Sequence, residues 1–174
     1  MIRNWLGRIL HFVAFIGPGG DSLRPWLHRL RGANIGKRVW IARYVYVDEL
    51  HPEEVTIGDN CTIGLRTSIF THFYWGAKQD KSNGRVVIEN NVFVGPHCVI
   101  LPNVKIGQGA VIKAGTVVSR DIPPRTFWGL PSAKALGLVT VPLTAEHTYE
   151  EFVQGMRLRT KAKPRGSDSD DEIS

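Results

Sequence analysis

Aliphatic residues recur at every sixth position over most of this chain. One series runs Ile35, Ile41, Val47; a second Ile57, Ile63, Ile69; a third Ile88, Val94, Ile100, Ile106, Ile112, Val118. All twelve positions are Ile or Val, although these two types fill only 31 of the 174 residues, so coincidence is excluded. Two residues before each lies a second column: Ala33, Val39, Val45, Val55, Cys61, Thr67, Val86, Val92, Cys98, Val104, Ala110 and Thr116. Every member is small or β-branched, which suits side chains turned inward at a tight corner. A helix would repeat at i, i+3, i+4 and a coiled coil at 3.5 residues. Period six predicts instead a solenoid of short strands and turns, three hexads to a triangular coil and about four coils in all. Gly36, Gly58, Gly64, Gly95 and Gly107 directly follow aliphatic positions, where unusual backbone dihedrals are expected.

The pattern breaks twice. Four extra residues lie between Val47 and Ile57, within 48–54, and thirteen between Ile69 and Ile88, near 73–85. The flanks follow other rules. Residues 2–16 read as an amphipathic helix, and Asp21 as the cap of a second helix that stops at Gly32. After Val118 a Pro123-Pro124 turn precedes an edge strand near 126–129. Residues 144–160 read as a helix with Thr144 or Thr148 as cap and with Phe152 and Met156 one turn apart. The organisation expected is a helical cap over 1–32, the solenoid over 33–135, an extension with a helix over 136–163, and a solvated acidic tail over 164–174.

Charge sharpens this division. The 22 Lys and Arg exceed the 16 Asp and Glu, a hint of nucleic-acid binding, but the excess is local. Residues 1–43 carry eight basic side chains (Arg3, Arg8, Arg24, Arg29, Arg31, Lys37, Arg38, Arg43) against Asp21 alone, whereas the remainder holds 14 basic and 15 acidic residues. No nucleic-acid partner is therefore expected. Two cysteines, both in the inward column, are too few for a disulfide framework or a structural zinc site, and a cytoplasmic location is expected. No apolar run reaches the length of a membrane span. The short apolar stretch 9–16 is followed by Gly-Pro-Gly-Gly without an A-x-A site, and is read as retained.

The hexad columns, the Thr71-His72 pair at the start of the long insertion, and the run from Val86 through Gly107 to Pro124 resemble the hexapeptide-repeat acyltransferases, and within them the sugar O-acetyltransferases of cell-surface polysaccharide and galactoside type. The resemblance covers roughly residues 33–135. It implies a mainly β fold, a left-handed parallel β-helix, assembled as a homotrimer with an acetyl-CoA site between adjacent subunits.

Transfer of an acyl group from a thioester to a hydroxyl needs a base, an oxyanion donor and positioning. His72, three residues after Ile69, is expected to face outward, and the resemblance implies that it is the base. His97 has the same phase on another strand and is a candidate site-lining residue, able to meet His72 only across a subunit boundary. For acetyl-CoA the resemblance implies Gly95 at the thioester end, Ala114 and Ser119 along pantetheine, and Arg120 near the nucleotide; Arg125 and Lys134 are candidate phosphate partners. Two departures stand out: Lys113 where the family commonly has Gly, and Pro96, which lacks an N–H for an oxyanion. On the acceptor side no asparagine occurs between Lys37 and Asp59, leaving Asp48 and its neighbour Glu49 as the candidate orienting groups. In the insertion, Tyr74, Trp75 and Arg85 suit a saccharide. No metal is expected, because His51, His72 and His97 offer no closely spaced pair.

The reaction expected is acetyl transfer from acetyl-CoA to a sugar hydroxyl of a polysaccharide or lipid-linked saccharide. Transfer to an amino group, on a nucleotide-linked amino sugar or an antibiotic-like acceptor, and a non-catalytic scaffold remain open. So does the cap: its apolar face either covers the first coil, or rests with its basic residues on the inner face of an anionic membrane.

Overall fold

A computed structural model describes residues 2–72, 84–131, 137–142 and 144–158. It divides into two compact units, 1–130 and 131–174.

The first unit opens with two helices, α1 (Ile2–Ile16) and α2 (Leu23–Leu30). Asp21 does not cap α2. Ser22 is the N-cap residue, its side chain caps nothing, and its hydroxyl donates to Asp21.

The hexads then become strands of two or three residues. β1 (Asn34–Ile35), β4 (Val55–Ile57), β7 (Val86–Ile88) and β10 (Lys105–Ile106) stack as one parallel sheet. A second sheet holds β2 (Trp40–Ile41), β5 (Thr62–Ile63), β8 (Phe93–Val94), β11 (Val111–Ile112) and β13 (Phe127–Trp128). The third holds β3 (Tyr46–Val47), β6 (Ser68–Ile69), β9 (Val99–Ile100) and β12 (Val117–Val118). The chain visits the sheets in rotation, and each aliphatic residue pairs in register with its counterpart one circuit on, as Val47 does with Ile69 and Ile69 with Ile100. All twelve aliphatic residues and all twelve members of the second column are buried. Cys61 and Cys98 are free thiols inside that column, and burial raises the pKa of both above the ordinary thiol value.

The register continues beyond Val118. Ile122 bridges Ile106 and Trp128 pairs with Ile112, so the spacing across this circuit is two residues shorter and escapes a strict period of six.

The corners correct the reading of the glycines. Left-handed backbone, with φ between 52° and 72°, falls three residues after the aliphatic positions, at Arg38, Tyr44, Asn60, Arg66, Asn91, His97, Asn103, Gly109, Gly115 and Arg125. Asn and Gly carry this conformation at least cost. The glycines that directly follow the aliphatic residues serve a different need. A Cβ on Gly64 would lie 2.5 Å from the backbone of Gly95 and Pro96, and one on Gly95 2.6 Å from the nitrogen of Ala114. They are sites of close approach between successive circuits, not of unusual dihedrals.

The open end of the solenoid is closed by arginines. The first strands of the three sheets leave carbonyls with no preceding strand to pair with, and buried unpaired carbonyls are costly. Arg29 donates to the carbonyls of Ile35 and Gly36, Arg24 to that of Ile41, and Arg31 to those of Val47 and Asp48, so the helix α2 region supplies one arginine to each sheet. The main chain helps: the Phe15 and Gly20 carbonyls accept from the N–H groups of Tyr44 and Ile41. Three of the eight basic residues in 1–43 are thereby explained as structure.

α1 meets the solenoid with His11 and Phe15 and buries Ala14, but not its apolar stripe; Trp5, Leu6, Ile9, Phe12, Val13 and Ile16 stay exposed. Of the two placements open for the cap, the one in which the apolar stripe of α1 covers the first coil is not found.

The second unit pairs β14 (Gly137–Val139) antiparallel with β15 (Met156–Leu158) around a short helix, α3 (Tyr149–Gln154). Thr148 caps α3 in a reciprocal box with Glu151. The expected helix over 144–160 is shorter because Gly155 ends it, packed where a Cβ would strike Val141, and Met156 enters a strand instead. Residues 164–174, expected as a solvated tail, lie outside the described residues.

Candidate active site

The corner that follows the third sheet carries the most developed chemistry. Asp48 directly follows β3 and His72 lies three residues after β6; since Val47 and Ile69 stack in register, the two residues fall on adjacent circuits at one corner. Nδ1 of His72 lies 2.6 Å from Oδ2 of Asp48. The imidazole is not simply turned outward: its side chain is 18% exposed, lying over a carboxylate with no exposed surface at all.

Asp48 is held as an anion. Burial alone would raise its pKa, but N–H groups of Thr71, His51 and Leu50 and the Thr71 hydroxyl outweigh burial and hold the carboxyl below its ordinary value. An ionised carboxylate only accepts hydrogen bonds, so His72 donates from Nδ1 and, when neutral, carries its lone pair on Nε2. Asp48, expected to orient an acceptor, is thus turned onto the histidine and away from the surface.

Behind the pair stands the cap. Arg31 donates to the Asp48 carbonyl at 2.7 Å and contacts Nδ1 of His28 at 2.9 Å. Nε2 of His11 lies 3.5 Å from Glu49, the neighbour of Asp48. That contact is not an ion pair, because burial and then Arg31 lower the His11 pKa to about 4; burial, followed by Arg31, lowers that of His28 to about 3.

The other expected residues distribute over all three corners. Ser119 and Arg120 are exposed just after β12, at the same corner as His72 and two circuits further along. At about 4.8 Å per strand, that is a separation of about 10 Å along the stack. Arg85 closes this corner ahead of β7, exposed, with Nε 3.5 Å from Glu54. Gly95, His97 and Ala114 lie at the corner after the second sheet: Gly95 is buried against Ala114, while Ala114 and His97 are exposed. Arg125 is exposed at the corner after the first sheet. The unit therefore places His72, Asp48, Arg85, Ser119 and Arg120 on one edge and Gly95, His97 and Ala114 on another. Lys113 donates to the Leu130 carbonyl. Tyr74, Trp75 and Lys134 lie outside the described residues. Among the described residues no group of three or more His, Cys, Asp or Glu is arranged to hold a metal ion.

The sequence reading missed the Asp48–His72 pair and the arginine bridge behind it. The signal for the first was present: aligning the columns by register sets position 48 one circuit below position 70, at the corner His72 occupies. The second carried none, since Arg31 sits outside the repeat.

Comparison with known proteins agrees with this architecture. A family model described as bacterial transferase hexapeptide (six repeats) matches residues 85–120, and one described as hexapeptide repeat of succinyl-transferase matches 54–71. YvoF of Bacillus subtilis (strain 168), which bears an acetyltransferase name, is 38% identical over 132 residues, 74% of this chain and 72% of the relative. Galactoside O-acetyltransferase of Escherichia coli (strain K12) is 40% identical over 75 residues, 40% of this chain and 37% of the relative. Among solved structures, a hexapeptide-repeat acetyltransferase of Vibrio cholerae complexed with acetyl coenzyme A matches with a TM-score of 0.51 at 22% identity, over 71% of this chain and 79% of the other. With family models resting on the observed hexads and one relative aligned over nearly three quarters of both chains, this chain belongs to the hexapeptide-repeat acyltransferases.

Proposed function

We propose that the protein transfers an acetyl group from acetyl-CoA to a sugar hydroxyl of a polysaccharide or lipid-linked saccharide, with His72 as general base. One observation carries the reading: a buried, ionised Asp48 fixes the His72 tautomer at 2.6 Å, the arrangement that aims the basic nitrogen away from the carboxylate. Nε2 takes the hydroxyl proton as the oxygen attacks the thioester carbonyl. The tetrahedral adduct collapses with cleavage of the C–S bond, and the proton passes to the departing CoA sulfur. Asp48 stabilises the imidazolium between these steps.

In this reading the solenoid is left-handed with about four coils, and three copies pack with the His72 edge of one beside the Gly95–Ala114 edge of the next. The separation of these residues on different edges of one chain supports that assembly. Gly95, Ala114 and Ser119 would then line pantetheine, and Arg120, Arg125 and Lys134 would meet phosphates. Arg85, Tyr74, Trp75 and His97 would face the acceptor. The likeness to galactoside O-acetyltransferase supports a saccharide acceptor. The cytoplasm, which supplies acetyl-CoA, is the compartment this chemistry requires.

The test is a panel of acceptors, paired as hydroxyl and amino sugars, scored by CoA release, beside calorimetry with acetyl-CoA alone. Binding of acetyl-CoA together with release on hydroxyl sugars is expected. Release only on amino sugars would replace the acceptor, and absence of acetyl-CoA binding would overturn the reading.

A further inference from the structure

The exposed side chains of α1 form one continuous face. At 100° per residue, positions 5, 6, 9, 12, 13 and 16 fall within an arc of about 120°. All six are large and apolar, Trp5, Leu6, Ile9, Phe12, Val13 and Ile16, with Trp5 71% and Phe12 63% exposed. The face extends onto α2: Leu30 lines the same groove of about 670 Å³ as Leu6 and Leu10, and Trp26, one turn before Leu30, is exposed beside it. An exposed apolar surface of this kind marks an interaction site.

Charge identifies the partner. Neither helix contains an acidic residue. Arg8 stands exposed beside one border of the apolar arc, its Nε 4.0 Å from the half-buried Glu49, and position 3, also Arg, falls beside the other border by its helical phase. Arg24, Arg29 and Arg31, in α2 and at its end, are committed to the solenoid end, which leaves positions 3 and 8 of α1 as the basic residues beside the arc. A second copy of the same face would set basic border against basic border, whereas an anionic bilayer complements both the arc and its flanks. Tryptophan within the patch suits the headgroup boundary. None of the described helices is long and apolar enough to cross a membrane, which fits a helix lying in the surface.

We infer that α1, with Trp26 and Leu30 of α2, docks the protein on the surface of an anionic lipid bilayer, apolar arc down and arginines against the headgroups. The inference is independent of the reaction catalysed. If the acyl acceptor is lipid-linked, docking holds the His72 corner near it.

Sedimentation of the full chain with vesicles of phosphatidylglycerol and phosphatidylcholine, against vesicles of phosphatidylcholine alone, tests this. Binding to the anionic vesicles is expected to be at least tenfold stronger, to fall with added salt, and to drop at least tenfold in Trp5→Ser/Phe12→Ser. Both residues are exposed, and the variant is expected to keep the parent's thermal unfolding. Quenching of the parent chain's tryptophan fluorescence by bromo-lipid vesicles gives a readout that needs no variant. Equal binding by parent and variant, no binding or quenching at all, or loss of an oligomer on light scattering in the variant would each overturn the inference, the last by making the face a contact between copies.

Discussion

Arg31 donates a hydrogen bond of 2.7 Å to the main-chain carbonyl of Asp48, whose carboxylate in turn holds His72 at 2.6 Å. The N-terminal cap therefore grips the residue that fixes the proposed base. Arg31 is a positioning residue, acting through Asp48. Its replacement by Met keeps the apolar stem but leaves the Val47 and Asp48 carbonyls unpaired, each an exposed or orphaned acceptor costing about 1–3 kcal/mol. The expected outcome is a fall in kcat of about tenfold with the KM for acetyl-CoA unchanged, and an altered pH–rate profile. A loss of thermal stability with kcat and pH profile intact would reduce Arg31 to a purely structural part.

Asp48→Asn separates charge from shape. The amide fills the same space but can donate to the imidazole, which favours the wrong tautomer. A fall in kcat of about 100-fold or more is expected, with acetyl-CoA affinity preserved in calorimetry. Full activity in the variant would mean that the carboxylate serves only the N–H groups of Leu50, His51 and Thr71.

The buried histidines of the cap predict an acid-sensitive fold. Both folded-state values, about 4 for His11 and about 3 for His28, lie below the ordinary 6.5. Between these values the unfolded chain binds more protons than the folded one, so stability is complete above pH 6.5 and is lost as pH falls. At pH 5 the cost is about 2 kcal/mol for each histidine. Thermal unfolding is expected several degrees lower at pH 5 than at pH 7.5, and an identical midpoint at both would contradict a neutral buried pair.

Two glycines at different corner positions should differ in their tolerance of substitution. Gly64→Ala forces a Cβ to within 2.5 Å of the next circuit's backbone, and overpacking of this kind costs about 1–3 kcal/mol. Gly115, at φ 72° with nothing within 4 Å of a Cβ, occupies the place filled by asparagine at 60, 91 and 103. Gly115→Asn is expected to leave the free energy of unfolding within about 0.5 kcal/mol of the parent.

The solenoid was legible because its rule is local: each hexad buries two side chains at fixed phase, so Ile35 to Val118 announce the core by spacing alone. Ile122 and Trp128 were not, because a two-residue shortening breaks the period while the hydrogen-bond register survives it. His72 stood out by its type and its position before the insertion. Its partner Asp48 was picked out as an acceptor-side residue and not as the partner of His72, since the direction of a short carboxylate at a corner depends on which N–H groups surround it, here those of Leu50, His51 and Thr71. The apolar stripe of α1 was visible in sequence, but which side it faces was decided by what the solenoid end accepts: carbonyls seeking arginine, and the rings of Tyr44 and Tyr46, which take Phe15 and His11.

The role of His72 as base is the central claim, and single-turnover acetyl transfer by His72→Ala measures it most directly. With acetyl-CoA bound and a hydroxyl-sugar acceptor in excess, transfer is predicted to slow by about 100-fold to 10,000-fold, while calorimetry returns the parent's affinity for acetyl-CoA. Transfer at the parent rate in the variant would contradict the account.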